Sequence, residues 1–549
     1  MWQTNWRDNV WSQLDRPWDI IVVGGGITGA GILRVAAGVG ARTLLVEGKD
    51  FAWGTSSRST KLVHGGLRYL AQGQFGVTRE SVRERERLLK EAPGLIERLG
   101  FLVPTYDGDS PSKRGFALGL AVYDYFARNW DHRYYKGDAF LMLAPHLRSD
   151  RLKGGFGYYD SVTDDARLVL RVIREAVRDG GTALNYATAQ CLLFGQGGRV
   201  NGVLLRDEVT GRIIELRAGL VINATGAWAD RLRSQVGGEA RIRPSRGSHL
   251  IFPAWRLPVA QAITLVHPQD GRPVFVLPWE GVTVAGTTDL DHRQPLDEEP
   301  RITSGEVNYL MEALDARFPS LSLDAADAIA SFAGVRPLVG MGRGDPSKVS
   351  RAHAVWEENG LLTVTGGKLT TFRRMALDTW RAARRLLPDL PPINGNVLML
   401  DPTLPDLPGA GSLDACARRR LLGRHGAEAP AVLAAAGRSE RELIPETNSP
   451  WVELRWAARS EGVVHLDDLL LRRVRLGLLL PHGAMSIMDG IRTIAQPELG
   501  WDDSRWDAEV ASYVDVWTKG YCIPTRGRVP DSSTMFVQSE AEGHARVRR

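Results

Sequence analysis

The stretch WDIIVVGGGITGAGILRVAAGVGARTLLVE, Trp18 to Glu47, decides the fold. A β-branched run, Ile20 to Val23, meets a glycine cluster, an apolar pattern at helical spacing follows, and a second strand, TLLVE, ends at Glu47. This is a βαβ unit of ordinary length, and it sets an α/β class. Inside it, Gly24-x-Gly26-x-x-Gly29 stands after a strand and before a helix, with Gly25, Ile27 and Thr28 completing the turn. The first glycine permits the tight turn, the second lets backbone approach a pyrophosphate at the helix N-terminus, and the third lets helix and strand pack closely. Glu47, about 20 residues on, is in place to bind a ribose hydroxyl and suits an unphosphorylated ribose. A glycine-rich turn alone says little; strand, helix and acid in register make this a site for FAD or NAD.

Working outward, the helix ARLVLRVIREAVRDGG precedes TALNYATAQCLLF, GRVNGVLLRD and GLVINATG, which read as a three-stranded excursion returning to the parallel sheet by Gly226. From about Arg243 to Leu290, SHLIFP, PVFVLPW and VTVAGTTD predict a mostly antiparallel sheet that would roof a substrate. After Leu387 a Pro/Gly-rich linker leads to an Arg/Leu/Ala-rich helical region. The expected organisation is a Rossmann-like FAD-binding domain over 19–98, 160–242 and 330–388, interleaved with a substrate domain over 99–159 and 243–329. A C-terminal helical domain over 405–520 and a disordered tail over 526–549 complete it.

Two further segments favour FAD over NAD. VINATGAW is a strand running into a small-residue turn, Ala224-Thr225-Gly226, of the kind that returns to a dinucleotide site. TVTGGKLTTFRRMA runs from a strand into Gly366-Gly367, then Lys368, Leu369 and Thr370 opening a helix whose first N–H groups would face an electron-rich acceptor. A P-loop is excluded there, because positions 362 and 369 are both Leu. A third segment, SSRSTKLVHGGLRYL, gathers Arg58, Lys61, His64 and Arg68 around a Gly-Gly pair, a composition that suits an anion and equally an ordinary basic loop.

At 549 residues the chain needs two or three domains. Lys+Arg of 69 against Asp+Glu of 64 gives +5, too small an excess for nucleic acid at this size, though compatible with an anionic substrate or membrane surface. Cys191, Cys416 and Cys522 are odd in number and widely spaced, which excludes a disulfide framework and a metal motif and leaves them as packing residues in a reducing compartment. The N-terminal MWQTNWRDNVWSQLDRP has no apolar core for a signal peptide, and no run reaches the roughly 18 apolar residues of a spanning helix. The expectation is a cytoplasmic protein, or one seated on a membrane without crossing it.

GGGITGAG, TSSRSTKLVHGGLRYL, DDARLVL, NATGAW, GSHLIFP, GTTD, GVRPL and TGGKLTTFR, in this order and spacing, closely resemble the FAD-dependent glycerol-3-phosphate dehydrogenases of the aerobic, membrane-associated type. The resemblance runs from about Asp19 to Arg373, and ELRWAARSEGVVHLDDLLLRRVRLGLLL looks like that family's helical C-terminal domain. It implies that Ser56, Ser57, Lys61, His64, Gly65 and Gly66 lie along the FAD pyrophosphate and flavin. Arg68, Tyr69, Arg351 and Thr288 would face the substrate, with Arg68 and Arg351 clamping its phosphate, as a guanidinium fork does well. It further implies Arg336 and Lys368 as the cations near the reacting carbon and His249 as the imidazole beside it. Taken alone, Arg336 suits a structural ion pair, Lys368 a carbonyl cap, and His249 a satisfied core histidine.

The implied reaction oxidises glycerol 3-phosphate at C2, with Arg336 and Lys368 stabilising the alkoxide and His249, a water or deprotonated Lys368 taking the proton. The resemblance also implies a membrane quinone as acceptor and peripheral attachment to an anionic membrane at the inner face of the cell membrane; a homodimer is left open. Candidate membrane contacts are Trp2, Trp6 and Trp11 and the basic-apolar LLLRRVRLGLLLP, Leu469 to Pro481, all of which equally suit core helices. Two rival classes stand beside this reading: an oxidase or dehydrogenase of another small hydroxy acid or amine, and a flavin-binding module or RNA-modifying flavoenzyme. A carboxylate needs no phosphate clamp of this size, and no basic, aromatic stripe suggests RNA.

Overall fold

The structure, a computed structural model, describes Trp2 and residues 5–71, 73–108, 113–340, 352–411 and 413–524, apart from the side chains of Arg68 and Ala71. Arg351 and the tail over 526–549 lie outside the described residues. The run Trp18–Val23 forms a strand parallel to Thr43–Val46 on one side and to Ile213–Asn223 on the other, with Val22 opposite Leu45 and Ile222. Leu361–Gly366 extends the parallel sheet beyond Ile213–Asn223, and Thr182–Leu184 closes it beyond Thr43–Val46. Ile20, Ile21 and Val22 have no exposed surface, as strands covered on both faces require. Helices Asp165–Arg178 and Phe372–Leu386 each pack against Ile27–Ala37, and all three share one core with these strands.

The excursion is present but differently cut. The residues expected as one strand from Thr182 to Phe194 break at Tyr186, which takes a left-handed φ of 49°. Thr182–Leu184 stays in the parallel sheet, while Ala187–Phe194 joins Val200–Asp207 and the first half of Ile213–Asn223 in an antiparallel flap.

The second sheet has ten strands. Ile242–Pro253 lies between Val282–Gly286 and Ala330–Val339, and Ile96–Tyr106 pairs with Leu152–Thr163. Ala262–Val266 joins the two halves by running parallel to Ile96–Tyr106. Several of these strands run across the expected domain limits. Ala330–Val339, assigned to the FAD-binding domain, pairs with Ile242–Pro253 from Ile242 opposite Val339 to Ile251 opposite Ala330. The strands Ile96–Tyr106 and Leu152–Thr163 overrun the limits at 98 and 160, and Leu62–Val63 also pairs into this sheet. Alternation marks a strand but carries nothing about which sheet it will join.

The helical C-terminal region begins with Ala415–His425 and ends with Asp503–Gly520. Its LLLRRVRLGLLL run is interior: Leu469, Leu470 and Leu476 have no exposed surface, and Arg472, Arg473 and Arg475 are each at most 2% exposed. The guanidiniums meet acids of the nucleotide-binding half, Arg473 gripping Asp50 through two contacts of 2.7 Å and Arg475 reaching Asp165 at 3.0 Å. Trp2 and Trp11 are buried as well, Trp2 stacked on Phe51, and Trp6 is packed against the core. Neither expected membrane contact is available to a membrane, because distant acids turn the basic run inward. No helix among the described residues is long and apolar enough to cross a membrane. Of the three cysteines expected to pack, Cys416 is exposed.

Candidate active site

A cavity of about 650 Å³ opens at the carboxyl ends of the parallel strands, where the second sheet covers them. Four segments far apart in sequence meet on its wall: Gly24, Gly26, Ile27, Thr28 and Glu47; Ser56, His64 and Tyr69; Ala224, Thr225 and Gly226; and Gly367, Lys368, Leu369 and Thr370. Arg336, from the second sheet, borders it too.

The glycine turn is built by close approach. Gly24 has φ 116°, and a Cβ there would stand 2.5 Å from the Ala224 carbonyl oxygen; a Cβ on Gly29 would stand 1.9 Å from that of Gly24. Gly25 and Gly29 thus shape the turn from behind, without lining the cavity. The Gly25 N–H donates to Glu47 Oε2 at 2.7 Å and the Lys49 N–H to Oε1 at 2.9 Å. Burial pushes the Glu47 carboxyl above its ordinary value, against those two N–H donors. Ser56 Oγ accepts the Ile27 N–H at 3.0 Å, joining the basic loop to the helix start. Bare backbone at Gly26, a carboxylate at the end of the second strand and a helix N-terminus facing the cavity form the donor set of a dinucleotide cradle, and the volume is that of a ligand site, so the residues present fit FAD.

On the opposite wall, Lys368 Nζ donates to Ser81 Oγ at 3.0 Å and lies 3.7 Å from the centroid of the Tyr69 ring. Thr370 Oγ1 bridges the backbone of His64, accepting its N–H at 3.2 Å and donating to its carbonyl at 3.3 Å. Arg336 Nη2 donates to Thr287 Oγ1 at 2.8 Å, and Nη1 stands 3.4 Å from Asp289.

His249 is held differently from the expectation. It is 1% exposed, stacks on Phe332 with centroids 4.5 Å apart, and does not itself line the cavity. Its Nε2 lies 3.0 Å from Thr60 Oγ1, and Thr60 does line it. Burial, then the positive charges of Arg336 and Lys61, hold the imidazole well below its usual value, so it is neutral near neutral pH.

Several expected contacts lie elsewhere. Lys61 takes a left-handed φ of 63° that turns its side chain under the loop, where Nζ donates to the Ser57 carbonyl at 2.6 Å and to Asp165 at 2.9 and 3.0 Å. Burial, followed by the neighbouring Arg475, pushes this amine down to about 7 against the pull of Asp165. Ser57 is likewise behind the wall, its carbonyl also accepting from Arg475 at 2.9 Å. Gly65 is buried against Tyr123, whose hydroxyl accepts its N–H at 2.9 Å, and a Cβ on Gly66 would strike the Tyr69 ring. Thr288 faces away, its hydroxyl donating to Glu306 at 2.8 Å and accepting the Ser248 N–H at 2.9 Å. Thr287 lines the cavity in its place. The side chain of Arg68 and all of Arg351 lie outside the described residues.

Sequence reasoning missed Trp53, Thr60, Asp289, and Thr188 to Gln190, all on the cavity wall. Thr60 lies inside the basic motif, passed over beside its charged neighbours, and Trp53 stands three residues before it, so a wider window takes it in. Thr188 to Gln190 come from the flap, which has no motif.

Comparison with known proteins gives a consistent set. A model of the family described as FAD dependent oxidoreductase matches residues 19–373, and one described as the C-terminal domain of alpha-glycerophosphate oxidase matches 373–506. Glycerol-3-phosphate dehydrogenase 2 of Mycobacterium tuberculosis is 35% identical over 534 residues, covering 92% of this chain and 89% of that one. Aerobic glycerol-3-phosphate dehydrogenase of Staphylococcus epidermidis is 39% identical over 384 residues, 68% of each chain. The solved structure of the glycerol-3-phosphate dehydrogenase from Bacillus halodurans complexed with FAD superimposes with a TM-score of 0.75 at 29% identity, covering 94% of this chain and 98% of that one.

Proposed function

Because the chain belongs to the family of FAD-dependent glycerol-3-phosphate dehydrogenases, we propose that it oxidises sn-glycerol 3-phosphate to dihydroxyacetone phosphate and passes the electrons to a membrane quinone at the inner face of the cell membrane. The observation that carries this reading is the meeting of two cations, Arg336 from a strand of the second sheet and Lys368 from the turn after Leu361–Gly366, on the wall of the cavity that holds the dinucleotide turn.

FAD, when bound, supplies the two-electron acceptor for the hydrogen leaving C2. The protein's own groups do the rest. Gly24, Gly26, Thr28 and Glu47 bind the dinucleotide, with Ala224 to Gly226 and Gly367 to Thr370 closing on it from the other strands. Arg336, steadied by Thr287 and Asp289, offers its guanidinium to the negative charge that grows on O2, and Lys368 adds a second cation. Thr60 Oγ1 accepts the substrate hydroxyl proton as it hands its own to His249 Nε2, 3.0 Å away, which the neutral imidazole can take up as imidazolium. This makes His249 a relay reached through Thr60. Arg68 and Arg351 are assigned to the substrate phosphate on the family pattern, with Tyr69 beside them.

Anaerobic bleaching of the bound flavin tests the reading. Glycerol 3-phosphate should bleach it, glycerol, lactate and glycine should not, and a quinone analogue should restore the colour. Bleaching by glycerol and not by its phosphate would overturn the substrate assignment.

A further inference from the structure

The helix Lys113–Ala127, KRGFALGLAVYDYFA, is inserted between the paired strands Ile96–Tyr106 and Leu152–Thr163 and is apolar on two sides. Its inner side packs: Leu120 and Tyr123 are at most 1% exposed, and the Phe116 ring lies 5.3 Å from that of Phe156. Its outer side does not. Leu118 and Tyr125, seven residues apart with Val122 between them, fall on one stripe and are 69% and 68% exposed, and Trp130 just past the helix end is 67% exposed.

The charges around this stripe have one sign. Arg114 and Arg128 are exposed at its two ends, with exposed Lys113 beside them. Of the nearby acids, Asp124 is buried and accepts the Asp131 and His132 N–H groups, and Asp131 pairs with Arg98. Leucine and two aromatics bracketed by arginines, with the local acids already engaged, is the pattern of a helix lying in the headgroup layer of a bilayer. The positive rim selects an anionic surface as the occupant.

On its inner side the same helix is joined to segments that border the cavity, without lining it itself. Tyr123 Oη accepts the Gly65 N–H at 2.9 Å and donates to Asp160 at 2.7 Å, and the helix packs on Leu67–Ala71, whose Tyr69 lines the cavity. We propose that helix Lys113–Ala127, with Trp130, is the surface by which this protein docks on an anionic membrane, bringing the rim of its cavity to the lipid. The assignment rests on the reading that the electron acceptor is dissolved in the membrane.

Co-sedimentation of the FAD-loaded full chain with phosphatidylglycerol/phosphatidylcholine vesicles tests it. Leu118→Gln/Tyr125→Gln should lower vesicle binding by about tenfold or more, while retaining flavin and its bleaching by glycerol 3-phosphate. Trp255→Gln, a 78% exposed tryptophan on another part of the surface, should sediment as the wild type does. Arg114→Gln/Arg128→Gln should abolish the preference for phosphatidylglycerol over pure phosphatidylcholine vesicles. Wild-type binding by Leu118→Gln/Tyr125→Gln overturns the proposal, as does a wild type that ignores vesicles. A wild-type dimer that this variant converts to a monomer overturns it in favour of an interface between copies. Should glycerol 3-phosphate fail to bleach the wild type while the vesicle results hold, the substrate reading falls and the docking surface stands.

Discussion

Replacing Asp165 by asparagine removes the charge that holds the basic loop from beneath. Asp165 has no exposed surface; Oδ1 accepts from Lys61 Nζ at 2.9 Å and Arg475 Nη2 at 3.0 Å, and Oδ2 from Ser59 N–H at 2.9 Å and Ser59 Oγ at 2.7 Å. Without it, two buried cations keep only Asp164 nearby, 3.7 Å from Arg475 Nε. Losing one side of a buried ion pair costs about 3–5 kcal/mol, and the residual pairing of Arg475 puts the expectation near the lower end, about 3 kcal/mol. The measurement is the urea midpoint of the transition that releases flavin, taken at pH 6, where Lys61, with a value of about 7, is charged. At pH 9 the penalty should shrink, because an amine with a value of about 7 is already neutral in the wild type and only the Arg475 pairing is lost. Lys61→Met in the Asp165→Asn background should restore about 1–2 kcal/mol at pH 6, the coupling expected of residues in contact. Two results would refute this account: Asp165→Asn within about 1 kcal/mol of wild type, or Lys61→Met alone losing flavin while Asp165→Asn retains it. The second would return the Lys61 ammonium to the cofactor.

Gly24→Ala should give a protein that does not retain FAD, since its Cβ would sit 2.5 Å from the Ala224 carbonyl at a φ of 116°; a full flavin spectrum after purification contradicts this. Arg336→Met should lower kcat/KM by about 10²–10³ with flavin content unchanged, as removal of an oxyanion-stabilising donor does; steady-state kinetics with a dye acceptor decide it. Burial would raise Asp164 and Glu461, but Arg475 and Arg424 around the first and Arg167 on the second outweigh it and hold both at about 2. Their folded values lie below the unfolded 3.8 and 4.5, so the unfolded chain binds more protons in that window. Their contribution of about 2–3 kcal/mol each is complete above pH 4.5 and lost toward pH 2, which acid unfolding followed by tryptophan fluorescence will show as a steep fall in that range.

The dinucleotide turn is fully legible in the amino-acid sequence, because its requirements are local. A strand, a turn that tolerates no side chain at Gly24, a helix start and an acid all lie within the thirty residues from Trp18 to Glu47. The same holds for Gly226 and for Gly367-Lys368, each a turn at the end of its own strand, and both reach the cavity.

Other readings fail where side-chain direction depends on partners far along the chain. Lys61 and Ser57 sit in a loop whose composition suits a phosphate, yet a left-handed φ at Lys61 and the carboxylate of Asp165 turn the amine inward. Thr288 belongs to a motif that has two threonines in a row just past the end of a strand; Thr287 lines the cavity, while the Thr288 hydroxyl is taken by Glu306.

What the amino-acid sequence determined by itself was therefore the α/β class, the cofactor turn and the identity of the cationic residues, all set by covalent spacing and backbone requirements within short segments. Tertiary structure alone decided which of those cations face the cavity and which surface is left apolar. LLLRRVRLGLLL and KRGFALGLAVYDYFA are both basic and apolar, and nothing within either distinguishes a core segment from a docking helix. Asp50 and Asp165 neutralise the arginines of the first and draw it inside, whereas Arg114 of the second and Arg128 just past its end stay exposed with Leu118 and Tyr125 between them. A buried guanidinium is tolerated only where a carboxylate meets it, and the fold, through contacts spanning hundreds of residues, determines where that happens.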